Sequence, residues 1–263
     1  MLISILSSLV LAESDISDNS LHAPATGYQR FMWVSEAQSY PRAVLSFRSA
    51  MTRFSTSSSE YMGFQWGETQ LDQAVQFEHK RISVGMEMPV LFYSSSLKEA
   101  QIETKPQLGS IAWNAQYLLR AAEGYHPHVA IAFQHQLPTQ SFENDGHTPD
   151  RLRVELRMSS AQNQSYWSFN IGYRQGIQSA SSRLPQLYIR SGIGYDVRED
   201  MGMAIEFWST AILQESYGYQ NDTELAWSGF KDWGRFRMKA GLVWHIDEID
   251  DGTPSATLGL TYR

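Results

Sequence analysis

The residues best placed to do chemistry form charged ladders. Arg151, Arg153, Glu155 and Arg157 interleave with Leu152, Val154, Leu156 and Met158. Successive side chains of an extended chain point to opposite faces, so the charges share one face and the apolar residues the other. Arg174, Arg190, Arg235, Arg237 and Lys239 fall on the polar face of later segments, with Glu87, Asp196 and Glu206 as acidic counterparts. Fixed positive charges opposite acids shape the field inside a pore and select anionic solutes. The same groups could instead pair with one another and fill a closed interior. Both readings stay open at this level.

Other chemistry is thinly supported. His126 and His128 lie two apart and share a strand face, with His135 further along. A histidine pair needs a third ligand to make a zinc or copper site, and none is evident. Asp247, Glu248, Asp250 and Asp251 form an acidic cluster, but without the Gly-centred twelve-residue spacing of an EF-hand. The expected reading is a solvated loop. Serine hydrolysis needs a Ser beside a His that a third group orients. Neither an Asn-His-Ser constellation nor a His-x-Ser-Asn motif is present. No catalytic residue, metal site or cofactor is expected.

Composition narrows the classes further. The 263 residues carry 21 Lys and Arg against 28 Asp and Glu, a formal net charge of −7. That balance, with no Gly-rich phosphate loop, argues against a nucleic-acid partner. The chain has no Cys, which excludes a disulfide framework, a zinc–cysteine site and a thiol nucleophile. Aromatic residues make up 13%, a high share.

The elements that must position the ladders are strands. Beyond residue 12, no stretch approaches the 18 apolar residues of a spanning helix. Period two dominates instead, in segments of roughly ten residues, the length of transmembrane strands. Trp113 and Tyr117, Trp167 and Tyr173, Tyr195, Trp244 and Tyr262 sit on the apolar faces near strand ends, as interfacial aromatic girdles require. Connections alternate in length after Val90. Residues 91–107, 138–149, 176–185, 211–222 and 245–253 read as long, and 120–126, 160–164, 197–202 and 230–232 as short. Membrane barrels have long extracellular loops and short periplasmic turns. The pattern therefore predicts an all-β fold: a single antiparallel transmembrane β-barrel of the cell outer membrane. Both termini would be periplasmic. Twelve strands are expected if two weak segments before Ile82 merge, and fourteen if Gly27–Val34 adds one. The alternative is a soluble periplasmic β-barrel that binds a ligand.

Residues 1–12, MLISILSSLVLA, read as a secretory signal. Residues 13–26 would be a flexible mature N-terminus and 27–263 the barrel. The expected partners are outer-membrane lipid, the barrel-assembly machinery and a small-molecule solute. Passive transport or binding within the lumen is the expected function, and a closed structural or accessory barrel its competitor.

Two segments carry a family resemblance. They are GETQLDQAVQFEHKRISVGMEMPV (Gly67–Val90) and LGSIAWNAQYLL (Leu108–Leu119) followed by PHVAIAFQHQLPT (Pro127–Thr139). The pattern resembles the proteobacterial outer-membrane barrels of the phenol-degradation MetA-pathway transporter-like group, and a related barrel family of unknown function. It departs from that pattern at Ser110, where Asp is usual, and at Gln140, where Gly is. The resemblance spans roughly Ser59 to Arg174. It implies an outer-membrane barrel and brings no catalytic residues.

Overall fold

Apolar side chains at every second position can be buried on only one side of a strand, and here that side faces outward. The computed structural model describes residues 30–38, 40–57, 64–97, 100–103, 107–108, 111–123, 126–137, 151–176, 185–212, 221–246 and 255–262. The proposed signal, the stretch 13–26, His22, His147 and the acidic cluster Asp247–Asp251 lie outside them.

Fourteen strand segments follow one another: β1 (Tyr40–Ser57), β2 (Phe64–Lys80), β3 (Ile82–Leu97), β4 (Ala100–Glu103), β5 (Gln107–Leu108), β6 (Ile111–Arg120), β7 (His128–Leu137), β8 (Arg151–Gln162), β9 (Ser165–Gly176), β10 (Gln186–Arg198), β11 (Met201–Ile212), β12 (Asn221–Trp233), β13 (Phe236–His245) and β14 (Ser255–Tyr262). Each pairs antiparallel with its chain neighbour, except that β3, β4, β5 and β6 share one edge. There β4, β5 and β6 pair with β3 in turn, as three pieces of one returning strand. The ring closes where β1 pairs β14, from Phe47↔Tyr262 to Arg53↔Ala256. The result is a closed barrel of twelve strands, the even number that single-chain barrels adopt.

The two weak segments before Ile82 do merge, into β2. Gly27–Val34 adds no strand: among its described residues, Arg30–Val34 form bends. The segment 91–107 is not a loop either, because β3 runs to Leu97 and its partner returns as β4 and β5. The connection expected at 230–232 sits slightly later, at Gly234–Arg235. Gly234 has φ +59° there, a left-handed conformation that glycine adopts at little cost. This turn, those at Arg81, Asn163–Gln164 and Glu199–Asp200, and the connection after β6 define one end of the barrel. We call it the short-turn end, and the opposite one the loop end.

The outer face is a continuous apolar belt. Phe47, Trp113, Tyr117, Ile193, Ile205, Trp227 and Leu258 are all exposed, Ile193 to 71%. Leaving so much apolar surface open to water would be costly, at about 25 cal/mol per Å². No helix among the described residues is long and apolar enough to cross a membrane. The crossing is made by strands, whose backbone groups pair around the ring and leave no edge for lipid.

Candidate functional site

The interior holds the alternate residues of the same strands, and they are polar. Arg48 on β1 and Glu87 on β3 form an ion pair at 2.8 Å. Glu155 on β8, 1% exposed at its side chain, meets Arg157 Nη2 at 2.6 Å, and Arg157 also donates to Gln116 on β6 at 2.7 Å. The guanidinium carbons of Arg153 and Arg190 lie 5.2 and 5.4 Å from the Tyr188 ring centre. Arg151, Arg153, Arg174 and Arg190 are buried on β8, β9 and β10. Register sets Arg153 directly opposite Arg174, and Arg174 donates to Gln186.

Near the short-turn end, Arg237 pairs with Asp232 at 2.6 Å and stacks 4.2 Å above the Phe230 ring centre. Lys239 is buried on β13 and Glu206 fully buried on β11. Asp196 is half-buried at the end of β10. Arg235 departs from the expected ladder. It shares parity with Arg237 but lies in the turn before β13, exposed, 3.5 Å from the Tyr262 hydroxyl on the outer face. At the Glu199–Asp200 turn, Lys231 donates to Asp200 and holds its carboxyl below the usual carboxylate range.

Buried Asp72, Glu78 and Glu224 join this interior without having been singled out from sequence. Their signal was present: Ser46, Arg48 and Ala50 share one parity, as do Asp72, Ala74, Gln76 and Glu78. The histidines do not converge. His79 stacks near Phe77 with ring centres 6.5 Å apart, and His126 is exposed. His128 Nδ1 accepts from the Ala122 amide at 2.9 Å. Among the described residues no three potential metal ligands cluster.

The largest departure from the expected interior is a segment of chain. Residues Phe31–Ala37 are all buried, with Phe31, Met32, Val34 and Ala37 at 0% exposure. They lie within the ring and take no part in any strand pairing. Phe31 packs with Tyr166, Ala204 and Phe230, and Trp33 with Trp208, Ala226 and Val243. Ala37 meets Leu118 and Ala130. Glycines open the seats: a Cβ on Gly192 would stand 2.5 Å from Phe31 Cε1, and one on Gly241 would strike the Trp33 indole. The Glu206 carboxylate accepts the backbone amides of Met32, Trp33 and Val34, each at 2.8 Å.

No family model and no curated protein matches this chain. Solved structures do. The NanC porin aligns at 13% identity and TM-score 0.53, covering 84% of this chain and 100% of that one. The translocator domain of the autotransporter NalP from Neisseria meningitidis aligns at 10% identity and TM-score 0.51, covering 97% and 98%. The transport unit of the autotransporter AIDA-I from Escherichia coli aligns at 8% and 0.51, covering 83% and 90%. The fold is an outer-membrane β-barrel. At these identities the likeness establishes architecture alone, and it agrees with the apolar belt and closed ring in locating the barrel in the outer membrane.

Proposed function

We propose that this barrel is a channel for small anionic solutes. The carrying observation is the wall built by β8, β9 and β10. It presents Arg151, Arg153, Arg157, Arg174 and Arg190 against one fully buried carboxylate, Glu155, with Asp196 apart at the short-turn end. Asp72, Glu78 and Glu87 stand on β2 and β3 instead. A wall of this sign raises the local concentration of anions and lowers that of cations. The resemblance of Ser59–Arg174 to the MetA-pathway transporter-like group supports small-molecule passage, as does the likeness in fold to the NanC porin.

The short-turn end is periplasmic in this reading. Cysteines introduced as Asn144→Cys or Asn221→Cys should label with an impermeant thiol reagent on whole cells, and Gln162→Cys or Glu199→Cys should not. The opposite pattern would invert the barrel. Lipid and the barrel-assembly machinery are its expected partners. The last strand fits that role, since Ser255–Tyr262 alternates buried and exposed without a break.

Conductance in planar bilayers tests the function. The purified barrel should give unitary currents, with a reversal potential in a salt gradient that marks anion preference. Cation preference would overturn the reading. So would silence from a barrel that passes the heat-modifiability test for folding, and this second result would favour a closed accessory barrel. The interior segment Phe31–Ala37 is the observation on that side.

A further inference from the structure

The segment that fills the interior is built to be held without being woven in. Its two ends both lie toward the short-turn end. Arg30 Nε stands 3.6 Å from Asp196 Oδ2, and the Ala37 carbonyl accepts from Ser159 Oγ at 2.5 Å. Between them the chain rises to Met32–Val34 at the Glu206 carboxylate and then descends into β1. Among the described residues it is a loop whose two ends lie on the same side of the barrel.

The wall grips this loop by its backbone as well as by the seats of Phe31 and Trp33. Glu206 takes three amides and also accepts from Ser228. Lys239 donates to the Phe31 carbonyl at 2.5 Å, Ser168 to that of Ser35 at 2.8 Å, and Arg190 lies 3.5 Å from that of Trp33. Release exchanges these bonds for bonds to water and uncovers Phe31 and Trp33, whereas the sheet hydrogen bonds remain intact throughout. The Arg190 contact links the loop to the arginine wall. An anion that takes the Arg190 guanidinium removes a donor from the Trp33 carbonyl.

We propose that residues Arg30–Gln38 are a displaceable gate, clamped in the lumen by the Glu206 carboxylate and released toward the short-turn end when the channel opens. This rests on the channel reading above. Glu206 is the clamp because one carboxylate accepts from three converging N–H donors. Glutamine there would turn an NH2 group toward one or two of them.

Single-channel recording on the full-length barrel tests the gate. Glu206→Gln should raise open probability at least tenfold, with unitary conductance unchanged. Because the chain has no native Cys, the pair Ser35→Cys and Ser168→Cys can be joined by a short thiol-reactive linker. Currents should fall at least tenfold on linking and return when a cleavable linker is reduced, all within one folded protein. If the wild-type barrel conducts and linking leaves its currents unaltered, the segment is a fixed lining and the gate is overturned while the channel stands. Should wild-type, Glu206→Gln and unlinked double-cysteine barrels all fold and all stay silent, the channel reading fails and takes the gate with it.

Discussion

A barrel carrying Arg153→Gln and Arg174→Gln together is expected to lose about fivefold in its anion-over-cation permeability ratio. A unit charge about 8 Å from a passing ion alters that ion's energy by roughly 0.5 kcal/mol in bulk water. Two such charges give roughly 1 kcal/mol, and salt screening over a Debye length of about 8 Å cuts this by about half. The change acts in opposite senses on anions and cations, so the ratio moves by about twice that energy, which is about fivefold. Arg153 and Arg174 are the pair to choose because the register of β8 and β9 sets them opposite each other. Both lie toward the loop end, away from the clamp at Glu206. Reversal potentials in a salt gradient read the change directly. An unaltered ratio from a folded double variant would mean that the β8–β10 wall does not set selectivity.

The second large effect concerns stability. Glu155→Gln is expected to cost about 3 kcal/mol, because breaking a buried ion pair leaves uncompensated charge behind. Glu155 is the carboxylate among Arg153, Arg157 and Arg190, and its Oε2 also accepts from Arg157 Nε at 2.6 Å. Glutamine has the same shape, so packing is preserved and the loss is electrostatic. Urea unfolding of the detergent-held barrel, followed by heat-modifiability, should show a lower midpoint for Glu155→Gln. Glu155→Asp should lie between the two. An unchanged midpoint for Glu155→Gln would show that the arginines are neutralised without it.

Much of this wall was legible because the strand period is two and the outward face must be apolar. Leu152–Met158 gives both faces of β8 from parity alone, and the same reading places Arg174, Arg190 and Glu206 on the inner side. Arg235 shows where parity fails. It alternates with Arg237 and Lys239, yet β13 begins one residue later, and parity carries no information about where a strand ends. In β1 and β2 Ser, Thr and Gln interrupt the apolar face, so parity alone does not single out Arg48, Asp72 and Glu78 although they alternate regularly.

The interior segment was less legible. Phe31-Met32-Trp33-Val34 is four consecutive apolar residues, and a wall strand between lipid and a polar lumen needs alternation. That run argues against a strand at Gly27–Val34, and it is the one signal that pointed inward. Its seats at Gly192 and Gly241, and its clamp at Glu206, join residues more than 150 positions apart. Nothing local encodes such a contact.

The unequal strands have a consequence for the outline of the molecule. From their shared tight turn at Arg81, β2 and β3 run 17 and 16 residues, whereas β8, β9 and β11 each span 12. Four extra residues at about 3.4 Å each, tilted by about 40°, lift one side of the rim by roughly 10 Å. Among the described residues, the strand wall therefore stands taller beside β2 and β3 than beside β8, β9 and β11.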